Sequence, residues 1–257
     1  MPQQGDMELN GASAMDAWLL APNPLQLPAG EMHLWRADTV SFSMHERMLM
    51  ALLSKAELEK ANRFKQRPDR IRSILARAVL RDILGRYMAT DPRNLKFQLA
   101  GHGKPMLDPH LYAGAPHFSV SHSGNVVLLG FARECDVGVD VEAIRSDIEV
   151  IEIAQRFFAP REVDDLLGLP EPARVKAFFC GWTRKEAYLK ARAEGIGSGL
   201  DRFAVTLAPG EPVRLVSDER YPDEVASWRL HDVSLGSAYA AASAVRCAGL
   251  RMRYWIW

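Results

Sequence analysis

Val137-Gly138-Val139-Asp140-Val141-Glu142 alternates between valine and a second kind of residue. A β-strand turns successive side chains to opposite faces, so the three valines share one face and Gly138, Asp140 and Glu142 the other. The valine face needs a core. The acid face sets two carboxylates ~6–7 Å apart along the backbone, where they repel each other unless a cation or basic group lies between them. Gly138 leaves room on that face for a ligand to approach. Taken alone, the stretch also fits a half-exposed strand with two solvated acids.

Working outward, short strand-like runs lie on both sides. LKFQLA (95–100), HFSVSHS (117–123) and NVVLLGFAR (125–133) precede it. RFAVTL (202–207), PVRLV (212–216), ASWRLHDV (226–233), AYAAASAV (238–245) and LRMRYWIW (250–257) follow. Residues 32–37 and 39–42 read as an opening strand. Ser54 and Glu57 form a capping-box pattern, and Pro68 opens a second helix. In that helix Ile71, Ile74, Leu75, Ala78 and Ile83 make one buried stripe, with Arg70, Arg72, Arg77 and Arg81 on the other face. Helical patterns return at 148–158, 161–167 and 171–192. The expected class is α+β, each half pairing helices with an antiparallel sheet. The expected organisation is a flexible N-terminal arm (1–30), an N-terminal subdomain (31–134) and a C-terminal subdomain (135–257).

The 257 residues include 32 Lys plus Arg and 32 Asp plus Glu. This balance gives no reason to expect nucleic acid or membrane as a partner, so charge selectivity must be local. Cys135, Cys180 and Cys247 are an odd, scattered set without CxxC spacing, which argues against a disulfide framework and against zinc. A reducing compartment is expected. The start lacks a basic segment followed by a long apolar one, and no run approaches the ~20 apolar residues of a membrane span. The expected location is cytoplasmic.

The acid strand gains a partner in WTRKEAYLK (182–190). Glu186 and Lys190 are four apart and share a helix face, while Lys185 points to one side. Three carboxylates and two ammonium groups suit a hard cation such as Mg²⁺ together with substrate phosphates. A basic band, Lys60, Arg63, Lys65, Arg67, Arg70, Arg72 and Arg77, offers further anion contacts. Only Phe64 interleaves it, which disfavours single-stranded nucleic acid. GHGKP (101–105) lacks Walker A spacing but can bring Lys104 to an anion. In SVSHSG (119–124) adjacent Ser and His point to opposite faces, so Ser121 and His122 fit anion contacts better than a nucleophilic dyad.

These segments in this order, SKAELEKANRF, RIRSILARAVLR, GKPML, FSVSHSG, VGVDVE, RFFAPREV and WTRKEAYLKARAEGIGSGL, resemble the Sfp-type family of 4′-phosphopantetheinyl transferases. The resemblance spans roughly residues 54 to 200 and rests on order and spacing. It implies a pseudo-dimer of two similar α/β subdomains with coenzyme A and Mg²⁺ in the cleft between them, acting as a monomer on an acyl or peptidyl carrier protein. It implies Asp140, Glu142 and Glu186 as Mg²⁺ ligands. It implies Lys60, Arg72, Lys104, Ser121, His122 and Lys190 as coenzyme A contacts, with Lys185 also within reach of a phosphate. Catalysis would rest on Glu186 and Lys190, with Glu186, directly or through a water, or else a metal-bound water or hydroxide, taking the serine proton. Glu57 stands where some relatives carry a second phosphate-binding lysine. A Mg²⁺-dependent phosphohydrolase and a non-catalytic carrier-binding module are the competing readings; three converging acids argue against the latter.

Overall fold

The computed structural model describes residues 18–208 and 210–257. Its elements run β1 (Leu19–Leu20), β2 (Glu31–Asp38), α1 (Thr39–Leu52), α2 (Lys55–Ala61), α3 (Arg67–Met88), β3 (Phe97–Leu99), β4 (Pro105–Leu107), β5 (His117–Ser123), β6 (Val126–Ala132) and β7 (Val137–Ala143). Then come α4 (Val150–Phe157), α5 (Pro160–Gly168), α6 (Glu171–Ala191), β8 (Phe203–Val205), β9 (Leu215–Asp218), β10 (Arg229–Asp232), β11 (Tyr239–Val245) and β12 (Arg251–Ile256). The class is mixed α and β, as expected. Among the described residues no helix is long and apolar enough to cross a membrane.

Two sheets carry the molecule. One is five-stranded, ordered β1-β12-β2-β6-β5, and the other three-stranded, ordered β10-β11-β7. Helix α3 packs on β5 and β6, and α6 packs on β7 and β11. Val137, Val139 and Val141 are fully buried in a cluster with Met32, Leu34 and Leu128 of the first sheet and Ala241 and Val245 of the second. Burying each such valine is worth roughly 2 kcal/mol. The valine face of β7 is thus the contact between the sheets, and its other face meets α6.

That other face corrects one expectation. A Cβ on Gly138 would overlap the Ala187 carbonyl oxygen and the Ala191 amide nitrogen of α6. Helix backbone fills the space that was expected to admit a ligand. Gly138→Ala must push α6 off β7, because neither clashing atom belongs to a flexible side chain. The expected cost is about 1–3 kcal/mol, seen as a thermal midpoint several degrees lower. Gly168→Ala, with nothing within 4 Å of the new methyl, is expected to leave the midpoint unchanged.

Several other expectations are revised. Residues 39–42 open α1 and do not extend the strand, because the Asp38 carboxylate accepts the Val40 amide at 2.9 Å and caps the helix. Part of the presumed loose arm is packed: Trp18, Leu25 and Leu27 are buried, and β1 pairs with β12. The remainder, residues 1–17, lies outside the described residues. Strand β12 joins the first sheet, parallel to β2, so the chain crosses the expected division at residue 134 a second time. The sheet is therefore mixed, not antiparallel. Cys135 and Cys247 are joined in a disulfide across 112 residues, and Cys180 is free. The bond links the β6–β7 connection to the β11–β12 connection, the two places where the chain passes between sheets.

Candidate functional site

The seam between β5, β7 and α6 gathers the polar groups. Asp140 and Glu142 project from β7, and Glu186 and Lys190 come from successive turns of α6. Lys190 Nζ lies 2.6 Å from Asp140 Oδ1 and donates to Ser121 Oγ at 3.0 Å. Ser121 Oγ donates to the same Asp140 oxygen at 2.8 Å. The structure therefore brings Asp140, Ser121 and Lys190 into direct contact, and Glu142 and Glu186 into their electrostatic range.

Burial raises the cost of this grouping. Asp140 is 3% exposed and Glu186 9%. Among the described residues Asp140 Oδ2 and Glu186 Oε1 are buried without a hydrogen-bond partner, each an expense of about 1–3 kcal/mol. Burial, then the Asp140 charge, push the Glu186 carboxyl up to about 7, against the pull of Lys190. Glu142 is also raised, by burial first and by Asp140 later, with Ser123 and Lys190 opposing. Repelling acids, partnerless buried oxygens and an all-oxygen donor set match what a hard divalent cation takes. Among the described residues no three ligand-type side chains stand as a preformed metal centre; Lys190 is the cation facing Asp140 in this arrangement.

Two cavities reach the acids, and a third shares a wall with one of them. One of about 210 Å³ is lined by Lys60, Ser73, Arg77 and His122, among others. A second, of about 270 Å³, is lined by Gly101, Gly103, Lys104, Glu186 and Lys190. The two share Pro105 and Val120 as a common wall. On the far side a cavity of about 160 Å³ places Glu142 and Arg145 beside Phe178, Phe179 and Trp182. Cations thus line one flank of the acids and aromatic rings the other. His122 is turned outward from β5, opposite to Ser121. Its pKa is held down by the protein packed around it and then by Arg72 and Lys190.

Other expected contacts are engaged elsewhere. Lys185 is not at the site: it is fully buried, 2.5 Å from Glu162 of α5, and donates to the Phe203 carbonyl. It cannot reach a phosphate without unfolding that core. Lys104 Nζ donates to the carbonyls of Val137 and Lys190 at 3.1 and 2.7 Å, and burial lowers its pKa to about 8. Two of its three protons are committed. Arg72 pairs with Asp69 and donates to the Gly124 carbonyl at 3.0 Å. Arg81 is buried, not solvated, and with Arg77 it grips Glu57 and lies over Phe97. Glu57 is therefore a fixed counter-charge that also caps α2, and Lys60 is the exposed cation beside it.

One contributor was missed. Ser123 Oγ donates to Glu142 Oε2 at 2.8 Å. The signal was present in the period-two serines 119, 121 and 123, all on the β7 side of β5.

Comparison with known proteins gives a consistent set. The family profile described as "4'-phosphopantetheinyl transferase superfamily" matches residues 136–244, and that described as "4'-phosphopantetheinyl transferase, N-terminal" matches residues 34–133. The chain is 35% identical over 238 residues to the 4'-phosphopantetheinyl transferase HetI of Nostoc sp., covering 93% of this chain and 97% of that protein. It is 32% identical over 158 residues to the 4'-phosphopantetheinyl transferase Sfp of Bacillus subtilis, covering 62% and 68%. It is 33% identical over 186 residues to the 4'-phosphopantetheinyl transferase psf-1 of Bacillus pumilus, covering 72% and 76%.

Proposed function

Because the chain belongs to the 4′-phosphopantetheinyl transferase superfamily, we propose that it moves the phosphopantetheine arm of coenzyme A onto a serine hydroxyl of an acyl or peptidyl carrier protein. The observation that carries the reading at residue level is the pair of buried, partnerless oxygens on Asp140 and Glu186 with Lys190 beside them. Asp140, Glu142 and Glu186 would hold Mg²⁺, which when bound offsets the charge of the pyrophosphate. The two α/β halves act as a pseudo-dimer, with coenzyme A along the cation-lined cavities between them.

The chain's own residues then position and neutralise. Lys60 and His122 line one cavity of about 210 Å³ and face the 3′-phosphate. Lys190 adds positive charge next to the acids. Lys104 holds the 101–104 loop to α6 and keeps one N–H for a phosphate oxygen. The carrier serine oxygen bonds to the phosphorus bearing pantetheine, the bond from that phosphorus to 3′,5′-ADP breaks, and the serine proton passes to Glu186 or to a water it holds. Such a displacement depends mostly on placement and charge. The protein acts as a monomer. The balanced charge gives no reason to add nucleic acid or membrane as a partner.

The test mixes the protein with coenzyme A, Mg²⁺ and a panel of apo-carrier proteins and reads intact carrier mass. A phosphopantetheine adduct on at least one carrier is expected; none on any would overturn the reading. Lys190→Ala and His122→Ala are each expected to raise the KM for coenzyme A about tenfold or more, as loss of one charge-assisted hydrogen bond implies. Unchanged KM values in both would refute the phosphate map.

A further inference from the structure

We propose that Ser123 is a positioning residue for Glu142, fixing which carboxylate oxygen is offered to a divalent cation; this rests on the assignment of Glu142 as a ligand made above. Strand β5 turns Ser119, Ser121 and Ser123 toward β7, and each hydroxyl bonds across the seam. They do different things there. Ser119 Oγ accepts the Val139 amide at 3.1 Å and has no carboxylate partner among the described residues. Ser123 Oγ accepts the Ala143 amide at 3.0 Å and donates to Glu142 Oε2 at 2.8 Å. With a lone pair of Ser123 taken by an amide, its single proton is directed at Glu142. One oxygen of Glu142 is thereby held, and the other is left to a ligand.

The anchor itself is held firmly. Ser123 precedes the Gly124–Asn125 turn, and three elements clamp that turn. Arg72 of α3 donates to the Gly124 carbonyl at 3.0 Å. The Asn125 amide donates to the Tyr239 hydroxyl of β11 at 3.0 Å. The Thr39 amide at the start of α1 donates to the Asn125 carbonyl at 2.9 Å. Gly124 has φ +55, and a Cβ there would meet the Tyr239 hydroxyl and the Ala143 side chain. The turn thus has little freedom to slide along β7, and Arg72 gains a role in the free protein that no phosphate is needed to explain. Outer groups that orient a ligating carboxylate typically contribute 10–100-fold to metal affinity.

The experiment measures Mn²⁺ binding from the signal of free Mn²⁺ in electron paramagnetic resonance, and coenzyme A binding in the presence of a chelator. Ser123→Ala is expected to weaken Mn²⁺ about tenfold with metal-free coenzyme A binding unchanged, and Ser123→Thr to restore it. Ser119→Ala, which loses only an amide bond, is expected to bind Mn²⁺ as the wild type does. If Ser119→Ala and Ser123→Ala weaken Mn²⁺ equally, the serines merely stitch the strands and the proposal fails. If Ser123→Ala binds as wild type while Glu142→Gln is weakened, the proposal fails and the ligand assignment survives. If Glu142→Gln also binds as wild type, the ligand assignment fails, and this proposal with it. Should Ser123→Ala not fold, Ser123→Cys, similar in size and a poor donor, reads the same shift.

Discussion

Asp140→Ala and Glu186→Gln are each expected to lower phosphopantetheine transfer at least a thousandfold while leaving the protein folded. Each side chain carries a buried carboxylate oxygen that finds no hydrogen-bond partner among the described residues. A group kept in that state destabilises the fold, so its presence is better explained by a bound charge than by packing. Glu186→Gln removes one of three mutually repelling acids and should melt at or above the wild type in metal-free buffer. Asp140→Ala leaves Lys190 with Ser121 and, since the lysine is 30% exposed, with solvent, so its loss is tolerable. Transfer would be measured as carrier mass gain against time, and folding by thermal melts of the same samples. An active Asp140→Ala protein would remove the acid cluster from the chemistry. A Glu186→Gln protein that melts far below the wild type would show that the carboxylate is structural.

What the residues revealed and what they concealed follow one physical division. The alternation at 137–142 is local, and it correctly separates the valine face from the acid face. The i, i+4 pair of Glu186 and Lys190 is equally local. Gly138 was legible as special but not as to why, because the atoms it admits belong to α6, some fifty residues away. The parallel insertion of β12 beside β2 and the Cys135–Cys247 bond depend on where the chain's end returns, and no short pattern carries that. Residues 39–42 look like a strand from their β-branched and aromatic side chains, yet one aspartate cap at Asp38 decides for a helix. Lys185 could have been read better. It shares a helix face with Tyr188, Leu189 and Phe178, which are buried, whereas Lys190 lies over Glu186. A lysine on an apolar face needs a buried acid, and Glu162 in the RFFAPREV segment was available.

That buried pair supports the strongest stability effect to be expected in the molecule. Lys185→Met leaves Glu162 with the amides of Ala159 and Val205 but without its counter-charge, in a place where neither residue has any solvent exposure. Burial already pushes the Glu162 carboxyl up and the Lys185 ammonium down, and each is the foremost influence opposing that push on the other. Breaking such a pair from one side typically costs ~3–5 kcal/mol, a large part of the stability of an ordinary domain. The unfolding midpoint in denaturant should fall accordingly, with loss of transfer following loss of fold. Replacing both partners separates this account from one in which Lys185 binds a phosphate. In Lys185→Met/Glu162→Gln the uncompensated charge is gone, the glutamine oxygen still accepts from the Ala159 and Val205 amides, and methionine fills the space between Phe158 and Phe203 that the lysine stem occupied. Most of the lost stability should return, and transfer with it. A double variant that is stable but inactive, with an intact Glu186, would instead put Lys185 back among the groups that act on substrate.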